Sequence, residues 1–216
     1  MKKGLTELIF ILDRSGSMGG LEQDTIGGFN SLLERQKKVD GEAVITTVLF
    51  DDQYELLHDR INIKGISAMT DESYYVRGST ALLDAIGKTI NKIKNVQKQT
   101  SDSERAENVM VVITTDGMEN ASREYGSERI KKMIENQKNK YGWEFMFLGA
   151  NIDAVSTAEQ FGIDKERAVN YHADSAGTAL NYDVIGEAVS CLRESNSIKS
   201  DWKKRIDEDY IKREGK

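Results

Sequence analysis

The sequence contains no proline, where average usage of about 5% would place roughly 11 in a chain of this length. Its turns must therefore be made by glycine, asparagine, aspartate and serine. Cysteine is almost as scarce. Cys191 stands alone, which excludes an internal disulfide and a multi-thiolate zinc site and fits a reducing compartment. The two histidines, His58 and His172, have no metal-ligand spacing. Basic charge is in deficit, with a net charge of −6 and a pI of about 5.2. A general nucleic-acid surface, which sets cations against phosphates, is therefore not expected. The mixed-sign stretch KKRIDEDYIKREGK near the C-terminus reads as a solvated helix or tail. No apolar run approaches the ~20 residues of a membrane span. The opening MKKGLTELIFIL imitates a signal peptide only until Glu7 interrupts it and Asp13 and Arg14 end it. No GxxxxGK(S/T) phosphate loop is present. Together these absences point to a soluble, cytoplasmic protein with no membrane and no nucleic-acid partner.

What is present is a chain of 216 residues, 38% of them hydrophobic, arranged in recurring apolar runs. A disordered chain lacks such runs, and a domain of this size buries roughly 70% of its extended surface. Residues 8–12 form a short continuous apolar run, the pattern of a strand buried on both faces of a parallel sheet. Residues 21–38 carry Leu21, Ile26, Phe29, Leu32 and Leu33 mostly at helical spacing. Strands are expected at 42–50 and 54–63, and so short a connection between them makes the second antiparallel. A helix over 80–97, a strand at 109–114, a helix near 126–140 and a strand at 143–149 follow. A helix near 153–161, a strand near 167–171, a helix near 177–194 and a last helix over 200–212 complete the series. Alternating strands and helices predict an α/β fold with a mainly parallel central sheet. One domain over 1–195, with a helical extension or tail over 196–216, is the expected organisation.

The first strand ends abruptly in LIFILDRSGSM, residues 8–18. Asp13, Ser15 and Ser17 place three oxygen-bearing side chains at alternate positions. Sites in open parallel sheets form beyond the carboxyl ends of the strands, where strand order reverses. Asp116 also follows an apolar strand directly. If the two strands are neighbours, ~4.8 Å apart, the two carboxylates repel unless a proton or cation lies between them. Ser15, Ser17 and Thr80 add neutral hard oxygens, which suit Mg²⁺, Mn²⁺ or Ca²⁺ rather than zinc. Each fragment has a plainer explanation. DRSGS can be a turn, TDG a strand end, and Ser79 or Thr80 the N-cap of the following helix.

Taken in order, DRSGS at 13–17, GST at 78–80 and TDG at 115–117 resemble the metal-ion-dependent adhesion site of von Willebrand factor A-type domains, with its Asp-x-Ser-x-Ser, threonine and aspartate. The resemblance runs to about residue 195. ITTDGMENAS (113–122) and WEFMFLGANIDA (143–154) are similar to stand-alone bacterial and phage proteins consisting of this domain. It implies a Rossmann-like six-stranded sheet in the order 3-2-1-4-5-6 with strand 3 antiparallel. It further implies that Ser15, Ser17 and Thr80 bind the metal directly, that Asp13 and Asp116 act mostly through water, and that an open position takes an Asp or Glu side chain from a partner protein. A non-enzymatic, metal-dependent protein-binding module is the leading expectation. A regulatory subunit of an ATPase complex would share that chemistry. A Mg²⁺-dependent phosphohydrolase or phosphotransferase similar to haloacid dehalogenases is the remaining alternative. Such enzymes need a second aspartate two residues after the first, and here that residue is Ser15.

Several neighbours carry two readings each. Arg14 is expected in a surface salt bridge or against a partner. Glu119 and Asn120 either rim the site or are solvated loop residues, and Asn151 and Asp153 lie on the same sheet edge, where Asp153 can instead cap a helix. Met18 and Met69 fill the core or offer a partner an apolar rim. Asp84 is expected in a structural hydrogen bond, and Tyr74 and Tyr75 are candidates for touching a partner. Ser15 and Ser17, with no general base expected beside them, read as ligands rather than nucleophiles.

Overall fold

A computed structural model describes residues 1–214; Gly215 and Lys216, the end of the expected C-terminal extension, lie outside the described residues. Six strands, β1 (Lys2–Asp13), β2 (Glu42–Phe50), β3 (Tyr54–Asn62), β4 (Ala106–Thr115), β5 (Glu144–Gly149) and β6 (Ala168–Asn170), form one sheet in the order β3-β2-β1-β4-β5-β6. All neighbours are parallel except β2 and β3. The helices are α1 (Glu22–Lys37), α2 (Leu82–Gln99), α3 (Ser127–Tyr141), α4 (Ala154–Gln160), α5 (Ser175–Ser195) and α6 (Lys204–Glu214). The expected α/β class, strand order and antiparallel β3 are all found.

Side chains alternate across a strand, so one strand serves two cores. Leu8, Phe10 and Leu12 of β1 join Phe29, Leu32, Tyr182 and Val189 beneath α1 and α5. Ile9 and Ile11 face the other way, toward Ile86, Ile90 and Ile134 of α2 and α3. Both faces of β1 are therefore dry, which explains its unbroken apolar run.

The strand begins earlier than that run. Glu7 is fully buried inside β1, where the Arg60 guanidinium donates to its Oε1 at 2.7 Å and the Gln97 amide donates to Oε2. Burying a carboxylate is tolerated once both oxygens are answered. The last helix packs on α5 and β6. Arg205 pairs with Asp183 and Glu187 at 2.8 and 3.0 Å, the Trp202 indole donates to the Glu166 carbonyl at 2.8 Å, and Tyr210 stacks on His172 with centroids 4.6 Å apart. Among the described residues no helix is long and apolar enough to cross a membrane.

Candidate metal centre

The chain leaves β1 toward α1 on one side, while β4 runs on to the other half of the sheet, so a crevice opens where β1 and β4 lie side by side. Asp13 ends β1 and Asp116 follows β4. The segment 77–81 is strapped over their ends by backbone bonds. Arg77 N–H donates to Arg14 O (3.0 Å), Gly16 N–H to Gly78 O (3.2 Å) and Ala81 N–H to Asp51 O (2.8 Å). Gly78 is needed there. Its φ is +65°, and an added Cβ would fall 2.3 Å from Asp52 Oδ1.

This strap carries Thr80 into the crevice. Thr80 Oγ1 donates to Ser15 Oγ at 3.0 Å, the Ser15 and Ser17 hydroxyls lie 3.1 Å apart, and Ser17 Oγ donates to Asp116 Oδ1 at 2.6 Å. Four of the five expected residues thus form a continuous chain of oxygens. Asp13 lies beneath it. Its Oδ1 accepts from Ser15 N–H (2.7 Å) and its Oδ2 from the Thr115 hydroxyl (2.5 Å), so it shapes the loop that presents the serines. Asp116 Oδ2 is buried with no hydrogen-bond partner. Burial raises the Asp13 pKa to about 6, against the hydrogen bonds from Thr115 and Ser15 that favour its anion, and nearby Asp116 adds to the rise. Burial also pushes Asp116 up.

These residues fit a divalent cation. A buried carboxylate oxygen without a donor is an acceptor awaiting a positive group. Three hydroxyls stand within hydrogen-bond reach of one another beside it. The wall over them is the backbone of Gly117, where a Cβ would lie 3.0 Å from Ser17 Oγ and 3.4 Å from Thr80 Oγ1. Among the described residues no group of three or more His, Cys, Asp or Glu side chains gathers to hold a metal. A cation here would meet mostly neutral oxygen, the donor set of a hard ion.

Several expectations are corrected. Neither Ser79 nor Thr80 caps α2. Ala81 holds the N-cap position without a side-chain cap, and the Glu119 carboxylate accepts from Leu83 N–H (2.8 Å) in the first turn. Glu119, half-buried, is thus tied to the start of α2 and to its own loop rather than turned to the metal-site rim. Asn120 Oδ1 accepts from Thr80 N–H at 2.9 Å and so fixes the threonine. Arg14 is not at the surface. It is 0% exposed, donating to Asp51 (2.9 Å) and Glu55 (2.7 Å), while Arg77 shares Asp51 at 2.7 Å. Burial disfavours the Asp51 anion, but the Arg77 and Gln53 hydrogen bonds and both guanidinium charges outweigh it and lower its pKa. Ser17 does have a carboxylate beside it, that of Asp116. Of the two readings of Met18 and Met69, the core one holds.

Other readings stand. Asp84 accepts from the backbone N–H groups of Arg123, Glu124 and Tyr125, each at 2.9 Å, and so ties the loop after β4 to α2. Asp153 caps α4, and Asn151, at φ +55°, donates to the Asp116 carbonyl at 3.3 Å. Tyr74 is a correction: expected as a candidate for touching a partner, it is buried and donates to the Asp13 carbonyl at 2.6 Å. The roles of Thr115, Tyr74 and Asn120 in holding Asp13 and Thr80 escaped sequence reasoning. Only Thr115, within TDG, carried a local signal.

No family model matches the sequence, and no curated protein matches it. Solved structures do. Proximal thread matrix protein 1 from the mussel byssus aligns at TM-score 0.61 with 16% identity, over 87% of this chain and 46% of that one. A further structure of that protein, whose metal-ion-dependent adhesion site is occupied by zinc, aligns at 0.58 with 15% identity, over 86% and 46%. The von Willebrand factor domain of a type V pili tip protein from Porphyromonas gingivalis aligns at 0.59 with 11% identity, over 90% and 98%. The chain thus spans under half the length of the mussel protein. At these identities the likeness establishes the fold.

Proposed function

We infer that this chain, which has the von Willebrand factor A fold, is a metal-dependent protein-binding module rather than an enzyme. Ser15, Ser17 and Thr80 would hold a divalent cation through their hydroxyls, with Asp116 on one side and Asp13 positioning the loop below. Mg²⁺ is the ion this donor set suits best, with Mn²⁺ or Ca²⁺ as substitutes. A cation met mainly by neutral hydroxyls keeps most of its charge, so it favours an anionic ligand in an open position. An Asp or Glu side chain of a partner protein is such a ligand. The observation that carries the reading is the buried, unpartnered Asp116 Oδ2 at the end of the hydroxyl chain.

The Ser17–Asp116 contact is read as a ligand pair, because Ser17 is also tied to Ser15, which is tied to Thr80. A phosphohydrolase of the haloacid-dehalogenase kind gains nothing from this geometry, since Ser15 stands where its general acid belongs. Action within the cytoplasm and service to an ATPase complex remain readings of the same chemistry with different partners.

Titration calorimetry tests the metal assignment. The chain should bind Mn²⁺ or Mg²⁺ at one site, and Asp13→Ala should abolish that binding while circular dichroism shows the fold intact. Unchanged affinity in a folded Asp13→Ala variant would remove the assignment.

A further inference from the structure

We propose that Tyr75 and Met118 form an apolar rim beside the metal centre, so that the partner presents its acidic residue directly next to an aromatic or long aliphatic one. The proposal rests on the metal-dependent binding reading and specifies the partner's chemistry.

Large apolar side chains that remain exposed in a well-packed domain mark contact surfaces when they sit beside a site. Two of them flank this one. Met118 is 73% exposed, one residue beyond Gly117, whose backbone walls the Ser17 and Thr80 hydroxyls. Tyr75 is 43% exposed and lies two residues before Arg77, where the strap over the site begins. Its neighbour Tyr74, by contrast, is 1% exposed and spent on the Asp13 carbonyl.

Tyr75 is held in place. The Arg14 and Arg77 guanidinium carbons each lie 5.3 Å from its ring centroid, and Arg77 Nη1 donates to its hydroxyl at 3.2 Å. Arg14 is itself fixed by Asp51 and Glu55 and keeps one buried nitrogen, Nη1, without a hydrogen-bond partner. The π face of Tyr75 gives that cation a compensating neighbour. An exposed ring fixed in advance loses little entropy when a partner covers it, which is how aromatic anchors gain their weight in interfaces. Met118 adds a side chain that adapts its shape.

Charge decides against a polyacidic partner. Beneath Tyr75 the two arginines are matched by two acids, Asp51 and Glu55. The exposed acids Asp52, beside Gly78, and Asp71 and Glu72, in the loop leading to Tyr75, outnumber Arg123, an exposed cation on the loop that carries Met118. A divalent cation then concentrates the positive charge at one point, so the surface accepts a single acid and disfavours a run of them. An apolar residue is what complements the ground beside it.

A random peptide library displayed on phage, panned in Mn²⁺ and eluted with EDTA, tests this. Selected sequences should place Asp or Glu next to Phe, Tyr, Trp, Leu or Met. A synthetic peptide from the selection should bind Tyr75→Ser and Met118→Ser about tenfold more weakly each. Neither side chain belongs to the metal-ligating set, so Mn²⁺ affinity measured without peptide reports whether each variant keeps the centre. Met118 packs against little, so Met118→Ser remains informative if Tyr75→Ser disturbs Arg14. Mn²⁺-dependent peptides rich in acids alone, bound equally by both variants, would overturn the rim and leave the metal reading standing. No EDTA-eluted peptide at all would overturn the metal reading and the rim with it.

Discussion

Carboxylates are buried at two places along β1, midway in the strand and in the crevice at its end, and only the crevice leaves one of them open. Midway along the strand, Glu7 has each oxygen answered, one by Arg60 and one by Gln97. Where the strand leaves the sheet, Asp13 is answered by Ser15 and Thr115, but its neighbour across the crevice, Asp116, leaves Oδ2 buried and unpartnered. Depth does not separate the two, since Glu7 is 0% exposed and Asp116 1%. What separates them is closure. A closed carboxylate has its acceptors spent within the fold, whereas an open one keeps an acceptor to offer a group from outside. Removing closed and open carboxylates in turn should pull the two cases apart.

The largest effect is expected at the closed site within the strand. Glu7→Ala leaves the Arg60 guanidinium without its counter-ion and Gln97 without its acceptor. Breaking a buried pair from one side costs about 3–5 kcal/mol, and because Arg60 keeps some solvent contact the lower end, about 3 kcal/mol, applies. Urea unfolding should show the loss equally with Mg²⁺ and with EDTA. A loss that appeared only with Mg²⁺ would tie the two sites together and break the contrast.

Asp84 sharpens the comparison, because it is a closed carboxylate located beside the candidate centre. Its three backbone donors hold its pKa below the usual carboxylate value of 3.8, outweighing the burial that pushes the other way. Asp84→Ala should cost about 2 kcal/mol near neutral pH. The sign of the pH dependence follows from the lowered pKa. The folded state binds its proton less readily than the unfolded state, so the contribution is complete above about pH 5. It is lost as pH falls through the unfolded and then the folded value, and the gap between variant and parent should narrow in acid. A gap that stayed constant down to pH 3 would mean that Asp84 acts through packing and not through its charge.

How legible was this from sequence? The frame was legible because β1, β4 and β5 are dry on both faces and so read as unbroken apolar runs, while the short β2–β3 connection dictates an antiparallel pair. The four hydroxyl and carboxylate oxygens from Ser15 to Asp116 were legible because each follows a strand end or opens a helix. Glu7 was misleading: a charge inside an apolar run looks like an interruption until Arg60, more than fifty residues away, is seen to close it. Arg14 failed for the same reason, since neither Asp51 nor Glu55 announces itself as its partner. Tyr74 and Asn120 had no signal at all. A tyrosine hydroxyl on a strand-end carbonyl and an asparagine on a loop amide depend on tertiary placement, which local pattern does not encode.

The smallest effect in the absence of metal is the most diagnostic. Asp116→Asn keeps the side chain's shape and an acceptor for Ser17 but removes the charge. In EDTA no protein group among the described residues answers the charge on Oδ2, so its removal should leave stability unchanged or raise it by up to ~1 kcal/mol. With the metal the order should reverse. At a free Mn²⁺ concentration about 100 times the dissociation constant the parent gains about 2.7 kcal/mol, whereas the Asn variant, short of a charged ligand, gains little. The crossing of the two stabilities between EDTA and Mn²⁺ is the signature of an open carboxylate. If Asp116→Asn instead weakened the fold in EDTA by several kcal/mol, Asp116 would be closed like Glu7, by contacts of its own, and the opening at this end of β1 would have to be sought in Ser15, Ser17 and Thr80 alone.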